Sequence, residues 1–274
     1  LPLGNYYLQE RSTNAHYKLN THKYGFAFEY AGQEISVVEV AANDGDAIDN
    51  DLKYGSVSGL KIDEDGETIE GAVFGLFRND ETELTEENAL LLATSGADGH
   101  FSFENIPYGT WIVRELVPAE GFVLNEKSYQ ITITEDKQMI EIKLENRYIY
   151  SDVEGLKIDE DGETIEGAVF GLFSEDETEF TEENALMIDT SNSTGTFRFE
   201  HLRYGHYQVR ELVPVEGFVL NETVYPVNVT EDGAVISIQF ENRYIRGDIL
   251  GHKVDEDGVA VSGAMFGLFL PDDT

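Results

Sequence analysis

The sequence predicts an all-β protein built of tandem β-sandwich domains, on three observations: a long exact repeat, stretches alternating apolar with polar residues, and closely spaced turn signals. The nineteen residues from Gly59 to Phe77 recur without a change from Gly155 to Phe173. The offset is 155 − 59 = 96, and it also links Glu115 to Glu211 and Asn146 to Asn242. A repeat of that length can bury a core of its own, whereas solenoid units of roughly 20–50 residues cannot. Residues 55–150 and 151–246 are therefore expected to be two complete domains. Leu1 to Glu10 align with Ile106 to Glu115, so residues 1–54 read as the closing part of a truncated upstream domain. A looser copy of the repeat begins at Gly251-His252-Lys253, and residues 247–274 read as the opening strands of a further truncated domain.

The second repeat shows the elements in order. Its first strand carries Val153, Gly155 and Lys157 on one face and Glu154 on the other, and the Asp161-Gly162 turn follows. Thr181 to Met187, and Thr85 to Leu91 in the first repeat, have a threonine cap and an acidic first turn, so one short helix per complete domain is expected. After Tyr204-Gly205, Tyr207 to Glu211 alternate as a half-buried strand, ended by the Pro214 to Gly217 turn. Asp232-Gly233 then leads into the last strand, Val235 to Asn242, which alternates in the same way.

Composition narrows the function. Fifty-four acidic against eighteen basic residues leave a formal charge of −36, which repels phosphate backbones and anionic membranes, so nucleic acid is not an expected partner. A hydrophobic content of 41% in periodic strands argues for folded domains. No apolar run is long enough to insert in a membrane. With no cysteine in 274 residues, disulfides and thiol chemistry are excluded, and an extracellular array needs another source of stability. The six histidines lack metal-ligand spacing, and no nucleophile–base or phosphate-loop pattern occurs. The expectation is neither metal nor cofactor, and no enzyme acting on a substrate.

Strand alternation turns three polar residues inward. Glu211 shares a face with Tyr207 and Val209, and Glu115 with Trp111 and Val113. Asn242 follows Ile236, Ile238 and Phe240, as Asn146 follows Ile140, Ile142 and Leu144. Lys157 lies with Val153 and Gly155, and Lys61 with Val57 and Gly59. Buried charges and amides are unfavourable unless paired, so a structural Lys–Glu ion pair with an amide satisfying leftover donors accounts for the pattern. A lysine at a strand edge, snorkelling to water, accounts for it too.

The order Leu60-Lys61-Ile62-Asp63-Glu64-Asp65-Gly66, then Glu70 to Phe77, Gly109 to Phe122 and a terminal Glu145-Asn146 closely resembles the B-type domain of the Cna collagen adhesin (CnaB). These SpaA-like, immunoglobulin-like (prealbumin-like) β-sandwiches occur in Gram-positive surface proteins and pilins. The resemblance covers both complete repeats and both flanking segments. It implies an intramolecular isopeptide bond between a first-strand lysine and a last-strand asparagine, promoted by a glutamate. Those residues are Lys61, Asn146 and Glu115, and Lys157, Asn242 and Glu211. In the flanks, Glu10 matches the glutamate, Asn50 the asparagine and Lys253 the lysine, each in an incomplete site. The chemistry suits these residue types, because desolvation favours a neutral amine and a neutral carboxylic acid. The acid is then expected to hydrogen-bond the asparagine carbonyl and relay a proton to departing ammonia. Such a bond forms once, without turnover.

Other motifs carry less. Val224-Tyr225-Pro226-Val227-Asn228 has the form of a pilin polymerisation motif but holds Val227 where a lysine belongs. Arg246-Gly247-Asp248 has the integrin tripeptide form, at a position where the previous junction has Tyr150-Ser151-Asp152. Asp63 to Gly66 resemble a calcium loop, yet Lys61 occupies the first ligand position of that pattern and a hairpin turn explains them. The expected function is a stalk or spacer in a cell-wall-anchored adhesin on the surface of a Gram-positive bacterium. Its expected partners are neighbouring repeats of the same chain, with a host extracellular-matrix or carbohydrate ligand bound through a tip outside this segment. The alternative makes the domains themselves the adhesive module, through exposed aromatics such as Tyr148, Tyr150 and Tyr244.

Overall fold

The computed structural model describes residues 1–35 and 37–269. Its regular elements are strands apart from one short 3-10 turn at Ala42–Gly45. In the leading segment β1 (Gly4–Leu8) pairs antiparallel with β2 (Tyr24–Phe28). The first complete domain holds β3 (Tyr54–Asp63), β4 (Val73–Arg78), β5 (Leu91–Thr94), β6 (His100–Pro107), β7 (Gly109–Val117), β8 (Ser128–Ile133) and β9 (Gln138–Asn146). They form a three-stranded sheet, β6-β3-β9, and a four-stranded sheet, β5-β4-β7-β8. Most neighbours are antiparallel, but the first and last strands of the domain, β3 and β9, run side by side in parallel. Their register sets Lys61 opposite Leu144 and Asp63 opposite Asn146.

The core lies between the two sheets. Val57, Phe101, Phe103, Ile106 and Leu144 from the smaller sheet meet Phe74, Leu76, Val113, Ile131 and Ile133 from the larger. Alternation along each strand delivers these residues to the inner face. At the centre the Phe101 ring stacks on Phe74, with centroids 3.8 Å apart and planes within 8°. Phe101 occupies the space above Gly59, where a Cβ would come within 2.1 Å of the ring. The smaller sheet thus needs glycine at that inward position.

The second domain repeats the plan with β10 (Tyr150–Asp159), β11 (Val169–Ser174), β12 (Met187–Thr190), β13 (Thr196–Arg203), β14 (Gly205–Val213), β15 (Tyr225–Val229) and β16 (Val235–Asn242). Its sheets are β13-β10-β16 and β12-β11-β14-β15. Phe170 stacks on Phe197 at 3.7 Å, and Phe197 covers Gly155.

The helix expected in each complete domain is not formed. Thr85 closes a single turn, accepting from the Asn88 and Ala89 N–H groups, and Thr181 does so from Asn184. A helix nucleus fixes several residues for its first hydrogen bond, so one turn has little drive to extend. The residues that follow gain more as sheet: Leu91 pairs with Leu76 and Thr94 with Val73. Among the described residues of 247–269 there is no strand, only an isolated bridge between Val254 and Ala260, and Met265, Phe266, Leu268 and Phe269 are exposed. No helix among the described residues is long and apolar enough to cross a membrane.

Candidate functional site

Lys61, Glu115 and Asn146 come from three strands, β3, β7 and β9, and all three are buried. Lys61 and Glu115 are each 0% exposed. Parallel pairing of β3 with β9 puts Lys61 and Asn146 on one inward face, two residues apart in register, and β7 brings Glu115 from the opposite sheet. The Lys61 ammonium donates to Asn146 Oδ1 and lies 3.1 Å from Glu115 Oε1. Asn146 Nδ2 donates to Glu115 Oε1 at 2.9 Å and Oε2 at 3.0 Å. The carboxylate therefore faces the amide nitrogen, not the carbonyl oxygen that the sequence reading assigned to it. The carbonyl instead faces the amine.

Lys157, Glu211 and Asn242 occupy the same places in the second domain. Asn242 Nδ2 donates to Glu211 Oε1 at 2.8 Å, and Lys157 Nζ lies 3.5 Å from that oxygen. Here the Lys157 amine and Asn242 Oδ1 have no hydrogen-bond partner among the described residues. Unsatisfied buried polar atoms are rare and unfavourable. In both domains burial pushes the lysine below its ordinary pKa, opposed by the neighbouring glutamate.

A residue to which the sequence reading gives no part in the site completes each one. The Asn125 backbone N–H donates to Glu115 Oε2 at 2.8 Å, while its Nδ2 donates to the Glu145 carbonyl at 2.8 Å. Asn221 does the same with Glu211 and Glu241, at 2.8 and 3.0 Å. The only sequence signal is a constant spacing of ten residues from glutamate to asparagine.

The flanking segments are unequal. Asn50 Nδ2 donates to Glu10 Oε2 at 2.8 Å, and the Asn20 N–H reaches the same oxygen at 2.6 Å. The Asn20 N–H, followed by the Asn50 amide, holds the Glu10 carboxyl below the usual carboxylate range. Lys253 is exposed and donates to the carbonyl of Val254, with neither a glutamate nor an asparagine side chain bonded to it among the described residues.

The tyrosines read as exposed ligand-binding candidates are engaged. Tyr148 is half-buried, packs on Phe122 with centroids 4.7 Å apart and donates its hydroxyl to Asp63 Oδ2. Tyr244 packs on Phe218 and donates to Asp159 Oδ2 at 2.6 Å. Both phenols are pushed up to about 12, first by the carboxylate hydrogen bond and then by burial. Burial works to raise the Asp63 carboxyl, but the Tyr148 hydroxyl and the backbone N–H groups of Glu67, Asp65 and Gly66 hold it below its ordinary value. Tyr150 donates to Glu64 Oε1 at 2.5 Å. Asp63 Oδ1 also accepts from the Asp65 and Glu67 N–H groups, so the calcium-like string folds as a turn. Alternation alone misses these contacts because they depend on β3 lying beside β9.

The family model for the SpaA prealbumin-like fold domain matches residues 55–148 and 151–244. The chain belongs to this family. No curated protein matches. Among solved structures, the SpaA-type chain is similar to the Bacillus anthracis TIE protein, at 22% identity and a TM-score of 0.68. That match covers 88% of this chain and 42% of the TIE protein, so the chain spans less than half of its relative. A streptococcal ancillary pilin matches at 21% identity and a TM-score of 0.34, over 89% of this chain and 76% of the pilin. The shaft pilin SpaA of Lactobacillus rhamnosus GG matches at 12% identity and a TM-score of 0.32, over 71% of this chain and 100% of the pilin.

Proposed function

We propose that this segment is a stalk of tandem SpaA-type domains on an extracellular bacterial surface, and that each complete domain is cross-linked through its own Lys–Asn isopeptide bond. The observation that carries the proposal is the buried lysine, glutamate and asparagine held together in both copies. An ion pair sealed in an apolar core is weak evidence of stability by itself. Condensation removes the ammonium charge and the primary amide together, and turns the two unpartnered atoms, Lys157 Nζ and Asn242 Oδ1, into the N–H and C=O of one neutral secondary amide.

The step follows from the contacts. Proton transfer from the Lys61 ammonium to Glu115 across 3.1 Å yields a neutral amine and a neutral acid. The Lys61 Nζ lone pair attacks Asn146 Cγ, forming the new C–N bond. Glu115 gives its proton to Nδ2 as the old C–N bond breaks, and ammonia leaves. The surplus proton on Nζ passes to Glu115, which ends as the neutral acid, so the net change from the starting ion pair is loss of ammonia with the ammonium's extra proton left on the carboxyl. Contact between amine and amide supplies the effective molarity that a poor electrophile requires.

We propose further that the domain limits are 55–150 and 151–246, with residues 1–54 and 247–274 belonging to flanking copies. Anchoring to a Gram-positive cell wall, and ligand binding by a tip outside this segment, belong to the same proposal. The adhesive alternative is less well supported, because Tyr148, Tyr150 and Tyr244 already spend their hydroxyls on carboxylates of the chain. Intact mass of the full chain tests the cross-links: the expected value is the sequence mass less two ammonia molecules. The full sequence mass refutes them.

A further inference from the structure

We infer that Asn125 and Asn221 are positioning residues for cross-linking, each fixing one oxygen of the promoting glutamate so that the other serves both reacting nitrogens. This inference rests on the isopeptide reading above. The two carboxylate oxygens are not equivalent. In each complete domain Oε2 accepts the asparagine backbone N–H at 2.8 Å. Oε1 faces both nitrogens, Lys61 Nζ at 3.1 Å and Asn146 Nδ2 at 2.9 Å in the first domain; Nδ2 also reaches Oε2 at 3.0 Å, so Oε1 is the oxygen that the two nitrogens share. The matching distances in the second are 3.5 Å from Lys157 and 2.8 Å from Asn242. Protons leave Nζ and arrive at Nδ2, so an oxygen that touches both can carry the traffic without turning. Rotation of the carboxyl about its last side-chain bond would break that arrangement, and the N–H on Oε2 opposes it.

The asparagine side chain explains why the N–H stays in place. Asn125 Nδ2 donates to the carbonyl of Glu145, the residue just before the reacting Asn146, and its Oδ1 accepts the Lys127 N–H at 3.0 Å. One residue thus ties the strand end that carries the electrophile to the carboxylate that serves it. Asn221 repeats this with Glu241 and the Thr223 N–H. Asn20 repeats it again, with its N–H on Glu10, its Nδ2 on the Asp49 carbonyl at 3.0 Å and its Oδ1 accepting from His22. Asp49 precedes Asn50 as Glu145 precedes Asn146. The two complete domains have nearly identical loops here, differing only at Ala119 and Val215, but the loop from Glu10 to Asn20 has a different sequence and keeps the same three contacts. A loop asparagine serving only as a turn former would need just the bond to its second neighbour.

The test uses the full chain made by cell-free synthesis, quenched in acid at intervals, with intact mass and peptide mapping to assign each branched peptide. The second domain acts as an internal clock for the first. In Asn125→Ala, Lys61–Asn146 formation is expected to lag at least tenfold while Lys157–Asn242 keeps its wild-type rate, and Asn221→Ala reverses the pattern. Asn125→Ser retains an acceptor for the Lys127 N–H but is too short to reach Glu145, and it is expected to lag as well. Rates are compared where hydrogen exchange shows both domains folded, which removes a merely structural effect. Wild-type chain that never loses ammonia defeats the isopeptide reading itself. Wild type that loses two ammonia molecules beside variants that do so equally fast overturns the positioning role alone. If neither Asn125 variant folds, the residue is structural and the inference is likewise overturned.

Discussion

Replacing Asn146 with leucine removes the electrophile while leaving the Lys61–Glu115 ion pair and the Asn125 N–H in place. Two separable losses follow. The carboxylate loses its hydrogen bonds from Nδ2, a change of about 1–3 kcal/mol for a buried group. The chain also loses a closed loop of 85 residues, which on the entropy model contributes about 4–5 kcal/mol through the unfolded state. A domain near this size unfolds with an entropy of about 0.2 kcal/mol/K. Hydrogen bonds alone would thus lower the midpoint by about 5–15 °C, and loss of the cross-link as well by about 25–40 °C. Calorimetry of the full chain, with intact mass on the same sample, separates these cases. The expected result is the larger fall in the first-domain transition, an unchanged second-domain transition and one ammonia retained. A fall of only 5–15 °C, about what hydrogen bonds explain, would refute the covalent account.

Three further outcomes are expected. In a spectrophotometric titration, Tyr148 and Tyr244 should ionise at about 12 against an ordinary 10.0, and the Tyr148→Phe/Tyr244→Phe chain should lack this late phase. A raised phenol pKa contributes stability that is full below 10.0 and lost as pH rises through about 12; the depressed Asp63 carboxyl contributes stability lost as pH falls through its lowered value. Tyr148→Phe should lower first-domain stability by about 1.5–3 kcal/mol, the worth of a hydrogen bond to a charged group, and an unchanged denaturant midpoint would remove the latch from the account. Gly59→Ala should cost about 1–3 kcal/mol or more, since the Phe101 ring at 2.1 Å is held by Phe74 and cannot retreat freely; an unaltered melting curve would contradict that packing.

Much of this was legible because strands have a period of two. Once Val113 and Ile142 are assigned to the core, Glu115 and Asn146 must follow them inward, and the structure buries both. The helix over Thr85 to Leu91 was misread from local signals, since the cap and acidic turn are real but cross-strand pairing of Leu91 to Thr94 decides the segment. The Asp63–Tyr148 bond was invisible because it needs the register between first and last strands, which no local pattern encodes. Asn125 was missed for another reason. Its decisive group is a backbone N–H, which every residue except proline possesses.

The parallel pairing of first and last strands gives the proposed bond a mechanical meaning that can be measured. Force applied at the ends of the first domain enters β3 at Tyr54 and leaves β9 after Asn146. With Lys61 joined to Asn146 the covalent path passes directly between them, and residues 62–145, a stretch of 145 − 62 + 1 = 84, carry no tension. The Asp63–Tyr148 latch ties this tension-free stretch to the chain just beyond Asn146. Without the link those residues can be drawn out, at about 3.3–3.6 Å each, adding roughly 280–300 Å of contour length. Single-molecule extension of the full chain should therefore show no step of that length from either complete domain, whereas Asn146→Leu should release one and Asn146→Leu/Asn242→Leu two. If wild-type molecules already show such steps, both domains bear load as ordinary hydrogen-bonded sandwiches, and the stalk proposal loses the property that best suits it to the task.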